Sequence, residues 1–179
     1  MIRRAADLDP LSVIILPNVA NLQMARGDAK ACVETTSKVI DMDPNFASAY
    51  IRLGQCYLAL GRSADAISAF EKALELNKSS FGQSELGFAY ATVGRRTEAL
   101  ELLSEVKARY DRKEEEGKSV ALIYLGLGEE DKVFEWLEKD FRSKNEGLPT
   151  TRWESTWAPI RKDPRYISLL KRMGLPVQD

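Results

Sequence analysis

Histidine is absent from the 179 residues, and with it the commonest general base and the commonest metal ligand. Cysteine occurs twice, at Cys32 and Cys56, which is too few for a disulfide framework, and no CxxC pair begins a zinc site. Both cysteines fall on helical faces and read as small buried thiols, in keeping with a reduced, cytoplasmic residence. No apolar run approaches the length of about 18 residues that would span a bilayer. The opening MIRRAADLDP lacks the apolar core and small-residue cleavage site of a secretory signal. Neither sign of charge predominates: 26 basic against 27 acidic residues give a net charge of −1. The basic excess or stripe of a nucleic-acid binder is therefore missing. Also missing are GxGxxG and GxxxxGK[ST] phosphate loops and the GxSxG nucleophile elbow. Glu114, Glu115 and Glu116 are adjacent on a charged stretch and do not converge on one point. Glu129, Glu130 and Asp131 fit a helix start, where acidic side chains meet the macrodipole. These absences predict a protein that is not an enzyme, holds no cofactor or metal, and has neither nucleic acid nor membrane as partner.

What is present is the composition of a folded chain, 44% hydrophobic and 30% charged, long enough for one domain with at most a small appendage. Within it runs an internal repeat. Leu53-Gly54 recurs as Leu86-Gly87, and Tyr57 as Tyr90 and Tyr124. Ala66 returns as Ala99 and then Val133, and Gly61 as Gly94 and Gly128, at steps of 33 and 34 residues. A period of that size marks a stack of similar supersecondary units. The positions explain themselves physically. Gly54 and Ala66 are small where two helices must approach closely. Tyr50, Leu53 and Tyr57 share one helical face, as do Phe70, Ala73 and Leu74 on the next helix. The recurring glycines suit a helix stop with positive φ, and Ser63 is a candidate N-cap just after one. An isolated pair of such helices cannot bury its apolar face, so neighbours must stack.

The period and motif resemble those of the tetratricopeptide repeat (TPR) family. The match is fullest over residues 47–80, with Tyr50, Leu53, Gly54, Tyr57, Ala66, Phe70 and Ala73 on signature positions and Lys78 where the family has a proline. The preceding unit has Pro44 in place, but Leu16, Val19, Ala20 and Gln23 stand at its degenerate first-helix positions. Ala5 and Pro10 fall where an earlier repeat would end, so the chain reads as starting inside a second helix. The resemblance implies an all-α fold, an α-α superhelix with right-handed turn, covering residues 1–141: a partial repeat 1–12, then units about 13–46, 47–79, 80–113 and 114–141.

The apolar pattern predicts helices over 1–8, 13–26, 29–42, 47–60, 63–76, 81–93, 96–109, 115–127 and 130–141, with Pro17 delaying or bending the second. Beyond Phe141 the period is lost. Residues 142–179 carry Trp153, Trp157 and a last helix from Asp163 to Met173, with Asp163-Pro164 as its start and Gly174 with Pro176 as its stop. Tyr166, Leu169, Leu170 and Met173 share a face that must cover something apolar. The exposed end of the last repeat, through Phe134, Trp136 and Leu137, supplies it, so this segment reads as a cap rather than an aromatic ligand cage. This ending is similar to the closing segment of many bacterial multidomain signalling proteins. That likeness implies a C-terminal part of a longer polypeptide with an effector domain upstream.

Members of the resembled family bind peptides or partner domains along the concave face made by the first helix of each pair. By position, the groove residues here are Asn18, Asn21, Arg52, Gln55, Ser84, Glu85, Phe88 and Lys118. The family's carboxylate clamp does not transfer: Asn21 fits one position, but Pro17, Arg52, Phe81 and Glu85 replace the others, and a glutamate would repel a terminal carboxylate. A protein-binding scaffold is the leading expectation. A self-associating array, with a homodimer as its simplest form, is the alternative.

Overall fold

The computed structural model describes residues 15–77, 82–144, 147–152 and 154–176. The expected helix over 1–8, the partial repeat 1–12, Phe81 and Trp153 lie outside them. Every described element is helical. They fall into two compact units, which divide between Leu86 and Gly87.

The first unit holds α1 (Ile15–Ala25), α2 (Ala29–Met42), α3 (Ala47–Ala59), α4 (Ser63–Leu76) and the opening residues of α5 (Gln83–Thr92). Each helix pair turns at a glycine that only a residue without Cβ takes up easily: Gly27 has φ +75° and Gly61 φ +71°. Gly54 in α3 shows why the pair needs a small residue. A Cβ built there would lie 2.4 Å from Cε1 of Phe70 in α4. The two residues stand nearly equidistant from the Gly61 turn, as antiparallel packing requires. Asp28 caps α2 by accepting a hydrogen bond from the Ala31 amide at 3.1 Å. At α4 the expectation of a serine cap needs correction. Arg62 occupies the cap position and Ser63 is the first helical residue, with no side-chain cap. Arg62 instead reaches forward to Asp65 (2.7 Å) and lies 4.5 Å over the Tyr57 ring. The same device recurs one period later, where Arg95 pairs with Glu98 (2.8 Å) and covers Tyr90 at 4.0 Å.

The cysteines also need correction. Cys32 of α2 and Cys56 of α3 are joined in a disulfide, with Cα atoms 5.9 Å apart and a sequence separation of 24. Both are sealed from solvent beside Ala20, Met24 and Val33. Read along the sequence they are isolated thiols on separate helices. Stacking of successive helix pairs brings them into bonding range.

The second unit holds the rest of α5, then α6 (Arg96–Asp111), α7 (Gly117–Gly126) and α8 (Glu130–Ser143). Two 3-10 turns, Leu148–Arg152 and Ser155–Ile160, lead to α9 (Pro164–Arg172). Helix α7 is buried on nearly every side, through Val120, Ala121, Leu122, Ile123 and Tyr124, as befits the centre of a layered core. Gly87 lets α5 approach it, since a Cβ there would come within 2.8 Å of Ile123. Asp140 of α8 caps the start of α7, accepting from the amides of Gly117 (2.7 Å) and Lys118 (2.5 Å).

Residues after the array are part of the same core. Trp157, Ile160, Tyr166, Leu169 and Leu170 are buried with Phe134, Trp136 and Leu137 of α8. Their polar atoms are satisfied: Trp157 Nε1 donates to Glu154 (3.0 Å), and the Tyr166 and Thr151 hydroxyls share a hydrogen bond of 2.8 Å. Asp163 caps α9 through the Arg165 amide at 2.7 Å, with Pro164 in the first position.

Candidate functional site

The polar residues on α1, α3 and α5 of the first unit converge. Arg52 and Gln55 are three apart on α3, hence on one face, and Arg52 Nη1 donates to Gln55 Oε1 at 2.7 Å. Gln55 turns its amide toward Glu85 of α5, with Nε2 to Oε1 at 3.4 Å. Ser84 donates to the other carboxylate oxygen at 2.9 Å. Arg52, Gln55, Glu85 and Ser84 thus form one string of side chains.

The string borders a cleft of about 240 Å³. Asn21 and Ser48 complete its polar rim, while Val39, Ala49 and Ile51 form an apolar floor beside Phe46. Thr36 of α2 also lines it. Its side chain is 2% exposed, and its hydroxyl has no hydrogen-bond partner within the protein. A buried hydroxyl left without a partner is uncommon, because it forfeits the hydrogen bonds it had in water. The sequence did carry a signal for it. Thr36 lies four residues after Cys32 and three before Val39, so it occupies an apolar register on the inner face of α2.

The remaining groove candidates lie elsewhere. Asn18 is exposed on α1 and is not part of the cleft lining. Phe88 and Lys118 belong to the second unit. Phe88 is half-buried against that unit's core, and its backbone lies against Gly126, where a Cβ would meet the Phe88 carbonyl at 2.8 Å. Lys118 directs its ammonium to the C-terminal segment. It donates to Thr150 Oγ1 (2.9 Å) and the Gly147 carbonyl (3.4 Å), and pairs with Glu154 at 3.6 Å.

A wider, shallower hollow of about 700 Å³ lies between α8 and α9 in the second unit. Several of its charges already answer one another. Arg165 pairs with Asp131 at 2.7 Å and sits 4.0 Å over Phe134, and Arg172 pairs with Glu138. The cleft of the first unit is smaller than the roughly 300–1,000 Å³ of small-molecule sites. Its size and mixed lining suit one or two side chains of a polypeptide. Among the described residues no cluster of three or more His, Cys, Asp or Glu could hold a metal ion. No described helix is long and apolar enough to cross a membrane.

The sequence model of the tetratricopeptide repeat family matches residues 47–80, which begin with α3 and carry Arg52 and Gln55 of the string. The chain carries a tetratricopeptide repeat. Among curated relatives it is 29% identical over 77 residues to the small glutamine-rich tetratricopeptide repeat-containing protein 2 of Mycosarcoma maydis. That alignment covers 43% of this chain and 22% of the relative. It is 33% identical over 75 residues to Superkiller protein 3 of Saccharomyces cerevisiae, covering 41% of this chain and 5% of that one. The chain therefore matches only a small part of the length of these relatives. Among solved structures, a thermophilic TPR protein of Thermus thermophilus, TTC0263, aligns over 88% of this chain and 87% of its own, with a TM-score of 0.67 and 22% identity. MamA aligns over 83% and 87%, with a TM-score of 0.56 and 23% identity. At these identities the likeness is one of fold: the chain is all-helical among its described residues and shares the architecture of TPR solenoids.

Proposed function

We propose that this tetratricopeptide repeat protein is an interaction scaffold that takes a peptide segment of a partner protein across the inner helices of its first unit. The observation that carries this reading is the Arg52–Gln55–Glu85–Ser84 string bordering a cleft into which the Thr36 hydroxyl is buried without a partner. Such a set offers guanidinium, amide, carboxylate and hydroxyl groups over an apolar floor, the mixture that fixes orientation while burying an apolar side chain. The likeness of the last residues to bacterial signalling proteins extends the proposal: the scaffold serves an effector domain on a longer polypeptide. A cytoplasmic setting belongs to the same proposal, and the state of Cys32 and Cys56 in cell extract tests it.

Panning a random displayed-peptide library on the purified chain, then titrating the selected peptide, tests the site. Gln55→Ala or Arg52→Glu is expected to weaken binding by at least about tenfold, with the melting temperature nearly unchanged. Equal affinity of the variants and the parent would refute the cleft as the site. Failure to select any peptide, with mass rising with concentration in light scattering, would instead favour the self-associating array.

A further inference from the structure

The disulfide does not staple a helix to its own partner. It joins α2 to α3, the outer helix of one pair to the inner helix of the next. Cys32 lies one turn before Thr36, and Cys56 lies one turn after Arg52 and beside Gln55. The bond therefore sits one helical turn behind the lining of the cleft, on both of the helices that form its floor. From this placement we propose that Cys32–Cys56 is a reversible covalent latch that sets the stiffness of the cleft according to thiol redox state. Its consequence for partner binding rests on the reading of the cleft given above. The latch itself does not.

The chemistry is thiol–disulfide exchange. One cysteine, as thiolate, attacks a small-molecule disulfide, forming a mixed disulfide and releasing one small thiol. The second cysteine then displaces the other small thiol, leaving the Sγ–Sγ bond. Two protein thiols are oxidised, one small disulfide is reduced to two thiols, and the protons end on the released thiols. Reduction runs the same steps backward. Neither sulfur is exposed in the folded unit, so both directions require α2 and α3 to part. The latch should thus exchange slowly under native conditions and quickly wherever the unit opens.

Closing a 24-residue separation disfavours the opened state by on the order of a hundredfold in the chain-entropy account. The experiment compares the full chain in three forms: oxidised with a small-molecule disulfide, reduced with a phosphine, and Cys32→Ala/Cys56→Ala. Thiols are counted by alkylation in denaturant, and amide hydrogen exchange is followed for Ala29–Met42 and Ala47–Ala59. The expected result is no free thiol in the oxidised form and two in the reduced form. Exchange through unit opening should be on the order of a hundredfold slower in the oxidised form than in the reduced form, which has the same side chains. Two alkylatable thiols after refolding in the oxidant, or identical exchange in the linked and unlinked wild-type chain, would overturn the latch. A latch that passes while a selected peptide binds both forms equally would leave the covalent control standing and defeat its assignment to partner binding.

Discussion

Thr36 is the residue at which the fold carries a buried polar atom without compensation. Its hydroxyl is buried without a partner, and such a group costs about 1–3 kcal/mol relative to its hydration in the unfolded chain. Thr36→Val keeps the shape and removes the oxygen. The variant is expected to be as stable as the parent or up to ~1 kcal/mol more so, read from the urea midpoint by circular dichroism. If the proposed cleft takes a peptide that bonds this hydroxyl, affinity for a peptide selected on the parent should fall. A variant clearly less stable than the parent would mean that the hydroxyl is satisfied in solution and has no reason to wait for a ligand.

At the scale of elements, α7 depends on an acceptor that its own sequence does not supply. Both amides at its start donate to Asp140 of α8. Burial pushes the Asp140 carboxyl above its ordinary value, and Glu116 adds to this, while the amides of Lys118 and Gly117 pull the other way. A carboxyl raised in the folded state holds its proton there at pH values where the unfolded chain has lost it. Its contribution to stability is therefore fully present on the acid side and declines as pH rises from the ordinary carboxylate value, about 3.9, through the raised one. Asp140→Asn should cost about 1–3 kcal/mol, since one acceptor oxygen becomes a donor facing an amide. It should also remove that decline from the pH profile of the urea midpoint. An unchanged profile would show that Asp140 is not the group responsible.

The same element shows what could be read in advance. The positions of the described α-helices, the glycine turns and the Gly54 contact are legible in the sequence, because each depends on residues close in sequence or on a periodic pattern. A helix stop at positive φ shows itself in one residue, and a close helix crossing in one small one. The Asp140 cap and the Cys32–Cys56 bond were not legible. Each joins positions 23 or 24 apart whose meeting depends on how successive pairs stack. For the same reason position along the repeat could propose eight groove candidates but could not tell that Lys118 turns to Thr150. It also missed Thr36, which the stack buries beside the cleft.

At the scale of the whole molecule, each unit has a core of its own, and that of the second is completed by the residues after α8. Trp157 is fully buried there, and Tyr166, Leu169 and Leu170 cover Phe134, Trp136 and Leu137. Trp157→Ala is expected to cost about 3–5 kcal/mol, enough to consume much of a typical net stability of about 5–15 kcal/mol. Ending the chain after Lys144 should lower the melting temperature further and produce aggregates, visible by light scattering at the parent's working concentration. A truncated chain that stays monomeric and melts with the parent would show that the C-terminal segment is dispensable to the core.

The tryptophans carry a consequence for optical work. All three, Trp136, Trp153 and Trp157, come after Gly87 in the sequence, and the two that are described are buried in the second unit. Intrinsic indole fluorescence is thus blind to the unit that holds the cleft and the disulfide. Ellipticity reads the helices of both. A denaturation curve followed by emission reports the second unit alone, and any part of the ellipticity change without a counterpart in emission belongs to the first. Tyr50→Trp would give the first unit a chromophore at the head of α3, close to the cleft, and make the dark half of the molecule visible.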